Sequence, residues 1–246
     1  METVFTQTFE VTAGQVDCYG RAKPSTLLYY AQEAAGGHCR ELALDWETLA
    51  KKNLFWAILR YRVQVTRLPK IGETVTVQTW PMPTTRTAFP RATVACDKDG
   101  NPLFRISGLW VLMDRETRTM VLPGKSGITL SGFLRGDDPE TPGTVAPVPL
   151  ENVTFRRVGY TDLDRNAHMN NTKYLEWVDD LLPAAYHKDH PVKEITLGYL
   201  AETLEGQELA LNWQLLEGDI LQVDARRENP DMPEKPTRVF TARLTF

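Results

Sequence analysis

Cysteine is scarce in this chain: Cys18, Cys39 and Cys96 stand at scattered spacings, with no C-x-x-C. An odd number without a pairing motif excludes a disulfide framework and a zinc knuckle, and reads as reduced thiols. No uninterrupted apolar run approaches the length needed to cross a bilayer, so membrane insertion is not expected. A basic excess is missing as well. Lys and Arg total 28 against 32 Asp and Glu, a formal charge of -4, which argues against a general nucleic-acid binder. The opening METVFTQTFEV lacks the basic and apolar regions of a secretory signal, so the expectation is a soluble, cytoplasmic protein.

What is present suffices for a packed core: 246 residues, 42% of them hydrophobic. Alternation predicts a strand over 4–11, and Pro24 and Ser25 precede a helix expected over 26–42, although Gly36 and Gly37 interrupt it. In FWAILRYRVQVT (55–66), Ala57, Leu59, Tyr61, Val63 and Val65 fall on one face and Arg60, Arg62, Gln64 and Thr66 on the other. Further strands are expected over 74–80, 85–96 and 103–113, with DKDGN as a hairpin turn. One helix followed by a meander of strands is an α+β pattern.

Residues 132–149, rich in Pro, Gly and acids and without apolar periodicity, read as a linker between a unit over 1–131 and another over 150–246. The order of elements then repeats. An offset of 145 carries Asp17 onto Asp162, Ala22 onto Ala167 and Tyr29 onto Tyr174; beyond the helices, 134 carries Val63 onto Leu197, Gly72 onto Gly206 and Val75 onto Leu209. Two units of one topology in one chain is a fused pseudo-dimer, which can satisfy its own interface or pair again as a homodimer.

The stretch TDLDRNAHMNNTKYLEW (161–177) carries the chemistry. Asp164, Asn166 and His168 alternate, so in an extended segment they share one surface while Arg165 and Ala167 take the other. Asn170 or Asn171 is the expected N-cap of a helix burying Tyr174, Val178, Leu181 and Leu182 and ending at Pro183. Under the offsets above, unit 1 has Tyr19, Arg21 and Lys23 opposite Asp164, Asn166 and His168, and Leu68 opposite Glu202. A set needed merely to fold a loop would stand in both copies, so its asymmetry favours chemistry at one site. Asp162 is expected to be a turn residue, matched to Asp17. His187 and His190 lie in a polar loop with no third ligand nearby in sequence, so neither metal nor cofactor is expected. His38 and Cys39, adjacent on a helix, cannot face each other, which makes Cys39 a packed thiol.

DLDRNAHMNNTKYLEWVDDLLP resembles the signature of the acyl-acyl-carrier-protein thioesterases of plants and bacteria, and YLAETLEGQEL is similar to their second active-site stretch. The resemblance implies a double hotdog, in which each of two tandem units wraps a long helix in an antiparallel sheet. It implies an acyl pocket in the N-terminal unit, catalytic residues Asp164, Asn166, His168 and Glu202 in the C-terminal one, and an acidic acyl carrier protein as partner. Thr203 stands where many plant members have cysteine, so the resemblance implies attack by water, with Asn170, Asn171 and Thr203 on the substrate side. A plastid member would carry a basic, serine-rich extension, so a bacterial-type enzyme or a mature form is expected.

Hydrolysis of a thioester needs a donor for the oxyanion, a base for water and a dry slot for the chain. Amides at the start of the helix near Asn170 and Asn171 and the Asn166 side chain suit the first; His168 or Glu202 suits the second, with Asp164 fixing Asn166 or the loop. The slot is expected among Leu27, Leu28, Tyr30, Trp56, Ile58 and Trp80, and a basic landing site among Arg60, Arg62, Arg67 and Lys70, or Arg86 and Arg91. The alternatives are an acyl-CoA thioesterase on the same scaffold and a silent acyl-binding module.

Overall fold

The computed structural model describes residues 3–229, 232 and 234–246. The chain divides between Pro142 and Gly143 into two compact units.

In unit 1 the alternating stretches become antiparallel strands: β1 (Phe5–Glu10), β2 (Leu54–Val65), β3 (Thr74–Pro81), β4 (Phe89–Cys96), β5 (Pro102–Asp114) and the short β6 (Met120–Val121), ordered β1-β3-β4-β5-β2 with β6 on β5. Helix α1 (Pro24–Glu41) packs on β1 and β3 and buries Leu27, Leu28, Tyr30, Ala31 and Ala34. It runs through Gly36 and Gly37 because any Cβ at Gly37 would collide with the Phe5 ring, so the glycine serves the contact rather than ending the helix. Two short helices lack a sequence prediction, α2 (Trp46–Ala50), capped by Asp45 accepting from the Thr48 N–H, and α3 (Pro123–Ser126). The strand expected from residue 85 starts at Phe89, because the Thr85 hydroxyl and backbone close residues 85–88 into a turn.

Unit 2 repeats this with β7 (Asn152–Arg157), α4 (Asn171–Asp179), α5 (Ala184–Asp189), β8 (Glu194–Tyr199), β9 (Glu208–Leu216), β10 (Ile220–Arg227) and β11 (Thr237–Thr245), in the order β7-β9-β10-β11-β8. Even the registers agree. Thr8 faces Thr76 as Phe155 faces Ala210, and Val63 faces Ile106 as Leu197 faces Ala242. Helix α4 stops at Asp179, short of Pro183. It buries Tyr174, Leu175, Trp177 and Val178 and leaves Leu181 only half-buried. His187 lies in α5 and His190 caps it, in place of the expected polar loop. His187 Nε2 meets the Asp179 carbonyl at 2.9 Å and His190 Nδ1 the Tyr186 carbonyl at 2.9 Å.

The connecting stretch has no helix or strand from residue 128 to 151. Its first part belongs to unit 1: Phe133 donates its N–H to the Pro81 carbonyl, Asp138 accepts from the Trp80 indole at 3.0 Å, and Glu140 pairs with Arg62. These interactions carry the boundary past residue 131. Among the described residues no helix is long and apolar enough to cross a membrane.

Candidate active site

Residues 163–169 do not form an extended strand. They form a tight turn closed by a Leu163–Met169 bridge, with the Asp164 N–H donating to the His168 carbonyl at 2.7 Å. Asp164 builds the turn from inside. Its Oδ1 accepts from the N–H groups of Asn166 at 2.7 Å and His168 at 3.2 Å, while Oδ2 lies 3.4 Å from Asn166 Nδ2. Ala167 takes the left-handed conformation at φ 60°, a region that costs an L-residue roughly 1–2 kcal/mol. The outcome still resembles alternation: Asp164, Asn166 and His168 are half-buried, and Arg165 and Ala167 are exposed.

The same turn stands in unit 1, and it corrects the register of the repeat. Asp17 Oδ1 accepts from the N–H groups of Tyr19 at 2.9 Å and Arg21 at 3.0 Å, Val16 bridges Ala22, and Gly20 takes the positive φ, here 74°. The offset in this region is therefore 147, which pairs Asp17 with Asp164 and Gln15 with Asp162. Gln15 and Asp162 do one job: each side chain accepts the N–H that opens its 3-10 turn, at Thr12 and Gly159. Beyond the helices 134 holds, since Ala22 donates to the Pro69 carbonyl as Met169 donates to that of Thr203. The asymmetry thus narrows. The aspartate is common to both copies and is explained by folding, whereas Asn166, His168 and Glu202 replace Tyr19, Arg21 and Leu68.

Glu202 arrives on the loop after β8. A bridge between His168 and Leu204 sets that loop beside the turn, and His168 Nε2 comes within 3.6 Å of Glu202 Oε2. His168 is partly shielded, with 19% of its side chain exposed, and Glu202 is more open at 41%. Gln207 fixes the loop's far end, where its Oε1 accepts from the Leu204 N–H at 3.0 Å and from Arg227 Nη1 at 2.7 Å.

Asn170 is the N-cap of α4: its Oδ1 accepts from the Thr172 N–H at 2.9 Å, and its own N–H donates to the Asp162 carbonyl. The Asn171 N–H at this helix start carries no hydrogen bond among the described residues. The Asn171 carbonyl accepts from the Tyr199 hydroxyl at 2.9 Å. Thr203 differs from expectation. It has no exposed surface, and its Oγ1 accepts from the Tyr174 hydroxyl at 2.8 Å, so it braces loop against helix rather than facing a ligand. Burial pushes the Tyr174 phenol up to about 12, keeping it a neutral donor. Sequence reasoning missed Tyr199, Gln207 and Arg227; the signal available for Gln207 was its place directly after the repeated glycine.

Two further expectations shift. Of the six residues proposed for an acyl slot, Leu27, Leu28, Tyr30, Ile58 and Trp80 are buried, and none of the six lines the small cavity beside Arg91. In the basic sets Arg62 and Arg67 are paired with Glu140, Glu73 and Asp97, and Arg91 is buried. Among the described residues no group of His, Cys, Asp and Glu is placed to hold a metal.

A family model of the acyl-ACP thioesterase N-terminal domain matches residues 2–122, and one of the C-terminal domain matches residues 150–230. The palmitoyl-acyl carrier protein thioesterase of Gossypium hirsutum is 29% identical over 214 residues, which cover 81% of this chain and 52% of that protein. The dodecanoyl-[acyl-carrier-protein] hydrolase of Umbellularia californica is 26% identical over 228 residues, covering 81% and 56%. The chain thus spans about half the length of the curated relatives it matches. Among solved structures, an acyl-ACP thioesterase from Bacteroides thetaiotaomicron aligns with a TM-score of 0.86 at 24% identity, over 99% of this chain and 97% of that one. The 12:0-ACP thioesterase from Umbellularia californica gives 0.81 at 23%, over 98% and 96%. The α+β fold is that of the double hotdog.

Proposed function

The chain belongs to the acyl-ACP thioesterase family, and from that premise we propose that it hydrolyses the thioester of an acyl chain carried on acyl carrier protein, releasing free fatty acid. The observation that carries this is the 3.6 Å approach of His168 Nε2 to Glu202 Oε2 beside the Asn166 turn, where unit 1 has Arg21 and Leu68 on an otherwise identical frame.

The reaction adds water across the C–S bond. The water oxygen attacks the carbonyl carbon while its proton passes to the His168–Glu202 pair, a carboxylate beside the ring favouring the imidazolium that forms. The carbonyl oxygen becomes an oxyanion, for which the Asn166 amide and the Asn171 N–H at the positive end of α4 are the donors. The intermediate then collapses, the C–S bond breaks, and the held proton passes to the departing sulfur. Asp164 acts through others, fixing the turn that carries Asn166 and His168. Thr203, already bonded to Tyr174, has no part in the chemistry.

Release of thiol from acyl-carrier-protein thioesters is the test. Asn166→Ala and His168→Ala should each lower turnover by roughly two orders of magnitude or more without unfolding the protein. Near-native turnover in either variant removes that residue from the mechanism, and no thiol release by the parent protein leaves only an acyl-binding module.

A further inference from the structure

Directly opposed residues on an antiparallel sheet share a face. Across unit 2 the register lines up Phe155 on β7, Ala210 on β9, Arg226 on β10 and Arg238 on β11, with a bulge after Ala225. The matching line in unit 1 is Thr8, Thr76, Cys96 and Pro102, and its bulge falls in the same place, after Ala95. One frame therefore carries an aromatic ring and two cations in one copy and no charge in the other. On either side of Phe155, Val153 and Arg157 stand where unit 1 has Thr6 and Glu10.

This face is open. Phe155 is 63% exposed and Val153 51%, and the core does not need them, because Leu209 and Leu211 fill the other side of β9. Strand β7 ends the strand order of its unit, a position that proteins usually blunt with polar residues, as Thr6, Thr8 and Glu10 do on β1. The arginines are held in place. Asp224 accepts from Arg226 Nε at 2.8 Å and from Arg238 Nη2 at 2.6 Å, so one nearly buried carboxylate serves two guanidinium groups and leaves a positive charge over. Arg157 lies 3.8 Å from Glu208, beyond a hydrogen bond, and is 70% exposed.

The face runs into the candidate active site. Val158, next after Arg157, donates its N–H to the Gln207 carbonyl and accepts from the Gly206 N–H, in the loop that begins at Glu202. Phe155 is three strand residues, about 10 Å, from that junction. We infer that this face docks the acyl carrier protein, with the carrier's acidic surface over Arg157, Arg226 and Arg238 and an apolar contact on Val153 and Phe155. The inference rests on the proposed hydrolysis of a carrier-bound thioester, which requires an acidic partner to present its ester beside Glu202. Arginines and an exposed aromatic ring on one face complement such a partner in charge and supply the residue types that anchor interfaces.

Binding of a fluorescently labelled acyl carrier protein, its dodecanoyl chain attached through an amide that resists cleavage, reads docking without turnover. Phe155→Thr installs the unit 1 residue, and Arg226→Gln leaves Asp224 its bond to Arg238; each should weaken binding by about tenfold or more. Thr8→Ala, at the matching place in unit 1, should change it by less than about twofold. Added salt should weaken binding to the parent more than to Arg226→Gln. In turnover, kcat/KM for the carrier thioester, relative to that for the uncharged N-acetylcysteamine thioester of the same acid, should fall by a similar factor in both unit 2 variants. No carrier binding by the parent, undiminished binding in Phe155→Thr or Arg226→Gln, or an equal loss on both thioesters overturns the proposal. So does a change of oligomeric state in Phe155→Thr with carrier binding intact, which would make the face a contact between copies of this chain. Binding that both variants weaken, in a parent protein that releases no thiol, would uphold the docking face and remove the hydrolysis, so the two readings fail separately.

Discussion

Thr203 and Tyr174 give the sharpest test of the site's architecture. Their bond, 2.8 Å from the Tyr174 hydroxyl to Thr203 Oγ1, lies in the interior, Thr203 fully buried and Tyr174 5% exposed. Tyr174→Phe deletes the donor and strands the threonine hydroxyl; Thr203→Val deletes the acceptor at nearly constant volume and strands the phenol. Each single change should cost about 1–3 kcal/mol, the penalty of a buried polar group left without a partner. The double variant strands neither, so its cost should fall short of the sum by about 1–2 kcal/mol. Urea or thermal unfolding of the parent, the two single variants and the double variant measures that coupling. At about 2–4 °C per kcal/mol for a chain of this size, the single variants should melt several degrees early. Turnover should respond differently. The backbone bond from the Met169 N–H to the Thr203 carbonyl survives the change to valine, so Glu202 keeps its place and turnover should stay within about tenfold of the parent. A Thr203→Val protein of native stability with turnover reduced a hundredfold would refute the reasoning, because the hydroxyl would then act on substrate.

Two other outcomes are expected. Burial, with the Arg91 charge beside it, drives the His38 ring from its ordinary 6.5 down to about 4. A folded-state value below the unfolded one means that the stabilisation is complete above pH 6.5 and is lost as pH falls toward 4, by up to roughly 3 kcal/mol. Urea midpoints between pH 7 and 4.5 should therefore fall more steeply for the parent than for His38→Gln, and parallel curves would contradict this. Ala167→Gly should relieve the left-handed strain at φ 60° and stabilise the protein by up to about 1 kcal/mol, read as a higher unfolding midpoint. A lower midpoint would mean that the turn holds Ala167 without strain.

The order of elements was legible because alternation in the strands and the 3.6-residue pattern of the helices are local. Residues 54–65 and 102–114 form strands where the sequence puts them, but strict alternation holds only in part: the register shifts between Ile58 and Arg60, so Ile58 is buried while Ala57 and Leu59 are half-buried. The register of the repeat was not legible. Ala22 and Ala167 share a residue type and not a role, whereas the true partners Gly20 and Ala167 share only a positive φ, which no residue identity announces. The site was visible as a set of residue types, yet the separate tasks of Asp164 and Glu202 emerge only when backbone N–H groups can be seen pointing at one and an imidazole at the other. Arg91 was grouped with Arg86 as a basic landing site for an acidic carrier protein, yet it is buried. What hides it is α1, from more than fifty residues earlier in the chain, against the strands around it.

The twin turns at Asp17 and Asp164 supply the protein with its own internal control. An aspartate removed from the first copy reports what the hydrogen-bonded ring and its ion pair with Arg21 contribute to holding that unit together, with no ester chemistry proposed for it. The matching removal from the second adds whatever catalysis depends on that ring. The difference between two such measurements, made within one polypeptide and one buffer, separates scaffolding from reactivity in a way that comparison with a distant homologue never could.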